Sequence, residues 1–244
     1  MRPALMNRFL WSCLAGVIAF YSCKKNVGTV SRLLVHNATL TTADLSVVWS
    51  GTSLTPTALA QGKTSGTVAE PYLLVPAGTN NIIMKSGSTV LLDKNIYGAP
   101  SNFSLLVYDT SLVSTTLNVA VLTDDLTLPD TTRLAKYRFI DCVPDTTIAD
   151  LVLRNSTDTV TLTAISFIGA NPVVSSLQTF STIKSGIYRP FIYKTGNDST
   201  ATPLFAGDSI TLGPQKICTI VYSGKPGSTG VDSLKLAAIF HPGN

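Results

Sequence analysis

Two halves of this chain carry the same succession of short apolar runs and turn breaks. Tyr137–Asp141 takes the place of Arg32–His36, and Ala149–Leu151 that of Ala43–Leu45. Lys184-Ser185-Gly186 matches Pro76-Ala77-Gly78, each opening a further run. Cys218–Ser223 matches Ser104–Asp109, and Leu234–Phe240 matches Leu117–Thr123. The offset grows along the chain while the order of the runs is kept, so the insertions fall in loops. A repeat of this length is a unit of ordinary domain size. Two tandem domains are expected, over residues 30–126 and 134–242. Asp124–Arg133, with Pro129 and Asp130, forms the joint between them.

The runs are strands rather than helices. There is a single glutamate, Glu70, against thirteen aspartates, and charged residues are 13% of the chain. That is about half the usual quarter. Good helix formers are scarce, whereas Thr, Val and Ile, which suit a pleated half-buried surface, are abundant. Expected strands in the first half are Val30–His36, Ala43–Trp49, Tyr72–Pro76, Thr79–Lys85, Ser88–Asp93, Phe103–Asp109 and Thr116–Thr123. Ser86-Gly87 supplies a hairpin turn between two of them. Short strands with turn signals every 8–12 residues or so indicate a sandwich or barrel. The fold expected is all-β: two tandem immunoglobulin-like antiparallel β-sandwiches after an N-terminal signal peptide.

The leader rests on Phe9–Tyr21, an apolar run of thirteen residues preceded by Arg2 and Arg8. Spanning a hydrocarbon core of about 30 Å takes roughly 20 residues. A short apolar run after positive charge is instead the signal-peptide pattern. Ser22-Cys23 follows, and the chain turns polar at Lys24-Lys25-Asn26. The segment resembles a bacterial lipobox of the Bacteroidetes kind. That resemblance implies cleavage after residue 22, a diacylglycerol on Cys23, a tether over 23–29 and an outer-membrane, cell-envelope location. Plain secretion and an uncleaved anchor are the alternatives. Acyl chains at about 0.8 kcal/mol per buried CH₂ would hold such a protein on its membrane.

Phe139-Ile140-Asp141-Cys142-Val143-Pro144-Asp145 followed by Ala149-Asp150-Leu151 resembles the opening motif of the DUF4397 family. Val75–Thr79 resembles its second signature. Ala206-Gly207 with Cys218–Gly224 resembles its third. The resemblance spans both repeats and implies exported, tandem, immunoglobulin-like sandwiches. It implies no activity. The first copy lacks the Pro-Asp that follows the motif's histidine, and the second has Asp141 where that histidine would stand.

Formal net charge is +4. Without Arg2 and Arg8 about +2 remains, too small and too evenly spread for a nucleic-acid footprint. With Cys13 in the leader and Cys23 modified, Cys142 and Cys218 remain, either bridged outside the cytoplasm or buried as two separate thiols. His36 lies in a strand and is expected to be packed or hydrogen-bonded there. His241 lies at the chain end, where fraying is expected. A catalytic triad needs a positioned histidine, and no GxSxG elbow is present. Asp124, Asp125 and Asp130, or Asp141, Asp145 and Asp150, are the carboxylate groups a calcium ion would need, in no known loop spacing. No metal or cofactor is expected.

Trp49, Tyr72, Tyr188, Phe191 and Tyr193 could form a sugar-stacking platform, or could pack across strands. Trp49, Tyr188 and Tyr193 are the candidate binding residues. Alternation in Ile187–Tyr193 puts Ile187, Phe191 and Tyr193 on one face and Tyr188 and Ile192 on the other. The function expected is a non-catalytic, membrane-anchored lipoprotein that displays two sandwiches for adhesion or binding. Its partner would be a glycan or an envelope protein. The alternatives are a glycan-binding accessory of an outer-membrane polysaccharide uptake system and, last, an enzyme.

Overall fold

A computed structural model describes residues 29–40, 44–55, 57–113, 117–144, 148–197 and 201–243. The signal peptide, Cys23 and Asp145 lie outside the described residues.

The first half builds β1 (Val30–Asn37), β2 (Asp44–Trp49), β3 (Thr52–Ser53), β4 (Leu59–Ala60), β5 (Leu73–Pro76), β6 (Gly78–Ser86), β7 (Thr89–Gly98), β8 (Asn102–Asp109) and β9 (Leu117–Thr123). The second builds β10 (Leu134–Asp141), β11 (Ala149–Arg154), β12 (Thr159–Ile165), one helical turn α1 (Val174–Leu177), β13 (Ser181–Lys184), β14 (Gly186–Lys194), β15 (Phe205–Ala206), β16 (Ile210–Leu212), β17 (Ile217–Ser223) and β18 (Lys235–His241). The fold is all-β.

Each half forms two sheets. In the first they run β5-β1-β8-β9 and β3-β2-β6-β7. In the second they run β13-β10-β17-β18 and β12-β11-β14-β15, with β16 also on β14. Neighbours pair antiparallel, except that β1 lies parallel to β8 and β10 parallel to β17. The expected hairpin turns at Gly87, which has φ +57°, and Ser86 pairs with Thr89. Alternation then sorts the side chains. Leu33, Val35, Phe103, Leu105 and Val107 meet Leu45, Val47, Trp49, Ile82 and Met84 in one core. Tyr137, Phe139, Cys218, Ile220 and Tyr222 meet Leu151, Leu153, Tyr188 and Ile192 in a second.

A third apolar cluster lies between the halves. Leu34, Leu106, Tyr108, Ala120 and Leu122 from β1, β8 and β9 pack with Ile140, Ile217, Val221 and Ile239 from β10, β17 and β18. The two inner sheets are therefore covered on both faces, and the sheets stack four deep. That explains the burial of every residue from Leu33 to Asn37 and from Ile217 to Ser223, where one-sided strands would alternate. Each fully buried Leu, Ile or Val stabilises by roughly 1.5–3 kcal/mol, so the seam contributes on the same scale as either core.

The hydrogen-bond registers fix how the two copies correspond. Asn37 pairs with Val107 as Asp141 pairs with Tyr222. The Asn37 and Asp141 side chains accept from the backbone N–H two residues on, at 3.1 Å and 2.8 Å. The Ala38 and Cys142 N–H groups donate to the Val107 and Tyr222 carbonyls, each at 2.8 Å. Leu33 thus corresponds to Tyr137 and Phe103 to Cys218. The alignment expected from sequence is one residue off in these two strands, and His36 corresponds to Ile140, not Asp141. A slip of one residue exchanges the two faces of a strand. The apolar pattern could not detect it here because both faces are apolar.

Candidate functional site

The seam between the inner sheets holds a buried polar circuit. Asp124 follows β9 and is buried. Its Oδ1 accepts from Arg138 Nη2 in a buried ion pair. Its Oδ2 accepts from the Tyr72 hydroxyl at 2.6 Å and the Ser104 hydroxyl at 2.7 Å. Tyr72 Oη lies 2.7 Å from His241 Nδ1, and His241 Nε2 lies 2.7 Å from Thr219 Oγ1. Arg138 Nε donates to that same Thr219 oxygen at 2.8 Å.

Counting protons orients the circuit. The ionised Asp124 only accepts, so Tyr72 spends its single proton there and its oxygen accepts from His241 Nδ1–H. His241 Nε2 is then the lone-pair nitrogen and accepts from Thr219, whose oxygen accepts from Arg138. All donation runs from Arg138 to Asp124, by one arm through Thr219, His241 and Tyr72 and by the other through the direct ion pair. The circuit requires a neutral imidazole. Burial and the nearby Arg138 cation lower the His241 pKa to about 4, against the opposing pull of Asp124. Burial and the Asp124 charge raise the Tyr72 hydroxyl far above its ordinary range. Phe180 caps the circuit, its ring centroid 4.5 Å from the Arg138 guanidinium carbon and edge-on to His241.

The same positions of the two copies supply these groups. By register, Ser104 corresponds to Thr219, Tyr72 to Phe180, Leu34 to Arg138 and Asp124 to His241. One face has met its own repeat, as in a two-fold dimer, and the contacting side chains have diverged. His241 is therefore not frayed: it ends β18 opposite Ile217 and is 4% exposed. Sequence reasoning missed the circuit because its members come from separate strands and loops between Tyr72 and His241. The available signal was the pairing of two unlike polar residues, Asp124 and His241, just beyond equivalent strands.

The remaining candidates are placed elsewhere. Cys142 and Cys218 are free buried thiols. Cys218 faces the second core and Cys142 the seam. Tyr137 is the register partner of Cys218, and Cys142 lies five residues further along, about 16 Å at strand rise. A disulfide holds its Cα atoms within about 7 Å, so of the two alternatives the pair takes that of two separate thiols, not the bridge. Burial raises both, Cys218 to about 12.

Trp49 and Tyr188 are core residues and Tyr193 is 3% exposed. These rings form no surface platform, because their strand faces turn toward packed neighbours. Tyr188 and Ile192 share a face as alternation required, and that face is the one turned to the core. His36 is fully buried, neither ring nitrogen has a hydrogen-bond partner, and burial with the nearby Lys235 charge lowers its pKa to about 4.

Asp124, Asp125, Asp141 and Asp150 serve separate local contacts. Asp124 belongs to the circuit, and Asp125 pairs with Lys136 at 2.9 Å. Asp141 closes a turn on Val143 N–H, and Asp150 accepts from Thr195 Oγ1 and Ala164 N–H. Ala164, at φ +57°, sits at an irregularity of β12 that Asp150 fixes. Among the described residues no group of three or more His, Cys, Asp or Glu side chains is placed to hold a metal ion. No family model matches the chain, and no curated protein matches it.

Proposed function

We propose that this protein is a non-catalytic lipoprotein of the bacterial cell envelope. It is held on the outer membrane through Cys23 and displays two fused β-sandwiches for adhesion or binding, in the manner of tandem DUF4397 proteins of Bacteroidetes. The observation that carries this reading is the circuit. The side chains best suited to chemistry, His241, Asp124, Arg138, Tyr72, Ser104 and Thr219, are spent on one another in the join between the copies. A buried circuit of this kind rigidifies a body. A rigid two-module body suits presentation at the end of a tether. The Ser22-Cys23-Lys24-Lys25 sequence after a short apolar run supports the anchor. The glycan reading loses the rings on which it rested, since Trp49, Tyr188 and Tyr193 are buried.

The test is membrane fractionation and palmitate labelling of the full-length chain and its Cys23→Ala variant in an exporting bacterium. The wild-type chain should label and float with the outer membrane, and the variant should do neither. A variant that stays membrane-bound and uncleaved would overturn the anchor. Pull-down from envelope extract with the wild-type chain then addresses the partner.

A further inference from the structure

The two copies differ at one end of the sandwich. In the first, β7 is ten residues long and packs against β9, closing that end. In the second, its place is taken by β15, of two residues, and β16, of three. The register partner of Leu105 on β9 is Val121, which packs against the first core. The corresponding partner of Ile220 on β18 is Ala238, which is exposed. A cleft of about 690 Å³ opens there, within the range of roughly 300–1,000 Å³ typical of small-molecule sites.

Its walls are apolar and come from both copies. Ile210, Ala238 and Phe240 belong to the second sandwich, while Val68 and Pro71 reach over from the first. The first copy's wall is held in shape. Thr67 N–H donates to the Glu70 carbonyl and Glu70 N–H to Thr67 Oγ1, both at 3.0 Å. Gly66, at φ +74°, lies where an added Cβ would come within 2.4 Å of the Glu70 carbonyl oxygen. Val68 is nonetheless 99% exposed and Phe240 36%. Lys216 also lines the cleft, with no carboxylate at ion-pair distance among the described residues. His241 borders the cleft too, but both its ring nitrogens are engaged and it carries no charge. An apolar cleft with one cation at its wall and no anion is complementary to an anion that carries an apolar tail.

We propose that this cleft binds a small amphipathic anion, a carboxylate on an apolar tail, with the tail among Ile210, Ala238, Phe240 and Pro71 and the carboxylate on the Lys216 ammonium. The site goes beyond the anchoring described above and does not depend on it.

Ligand-observed NMR titration of the full-length chain in lipid nanodiscs tests it, with empty nanodiscs as blank. Phenylbutyrate and the uncharged phenylbutanol are the probes. Phenylbutyrate should bind saturably, and Ala238→Trp, which fills the cleft from an exposed position, should weaken it at least about tenfold. Lys216→Ala should weaken phenylbutyrate by about tenfold, the scale of one charge-assisted contact, and leave phenylbutanol unchanged. Phe240→Ala, which adds no bulk, should weaken both probes. Absence of saturable binding, or wild-type affinity in both Ala238→Trp and Phe240→Ala, would overturn the site. Equal loss of both probes in Lys216→Ala would overturn the anionic ligand class. Fractionation of Cys23→Ala reads the anchor alone, so either idea can fail without the other.

Discussion

Asp124 and His241 stand at the same register position in the two copies, and both touch the hydroxyl of Tyr72. One is the anion and the other a neutral ring of the same circuit. The seam is thus a charged pair and a neutral chain of donors closed on each other, set in an apolar contact.

Removing one member of the Asp124–Arg138 pair leaves the other buried and uncompensated. Asp124→Ala and Arg138→Leu should each cost about 3–5 kcal/mol in urea unfolding. Arg138→Leu installs the residue that the first copy carries at this position, Leu34. The double variant should therefore lose clearly less than the two single losses added. Strict additivity in the double-mutant cycle would show that the two groups are not coupled.

Tyr72→Phe substitutes the residue that the second copy carries there, Phe180, so shape is preserved. Asp124 loses one donor and His241 Nδ1–H loses its acceptor. The expected cost is about 1–3 kcal/mol, read as a lowered midpoint in thermal or urea unfolding. An unchanged midpoint would mean the hydroxyl contributes nothing net.

Both histidines are held neutral, with folded pKa values of about 4 against 6.5 in the unfolded chain. In the window between those values the unfolded chain binds protons that the folded one does not. Stability should therefore be full above about pH 6.5 and fall as pH drops toward 4, by a few kcal/mol in all. His36→Ile, the residue of the second copy at Ile140, should remove about half of that slope. Urea midpoints measured across this window would show it, and a slope equal to wild type would assign the whole effect to His241.

Cys142 and Cys218 should be unreactive toward a thiol reagent in the folded protein. Both should label fully in denaturant without reductant. Failure to label in denaturant would restore the bridge that their separation along the sheet excludes.

The all-β character was readable because one glutamate and many Thr and Val residues leave little else to build with. The Ser86-Gly87 hairpin and the shared face of Tyr188 and Ile192 followed from turn chemistry and alternation, but not that this face is the inward one. Register was not readable: Leu33–Val35 and Ile217–Val221 are apolar or small on both faces, so shifting either by one residue looks equally good. The cause is the seam, which covers the second face of each inner sheet. Trp49 and Tyr193, outside the seam, looked free to stack on a sugar for a different reason. Their burial depends on neighbours far along the chain. His241 was misjudged from its position near the end, although a terminal strand that closes a sheet is as fixed as any other.

The joint between the copies, by contrast, carries Thr131, Thr132 and Arg133 exposed, while the seam beside it is buried. A protease nick there would sever the polypeptide and leave the particle whole. The two fragments would travel together until denaturant parted them, and would find each other again as a split protein does.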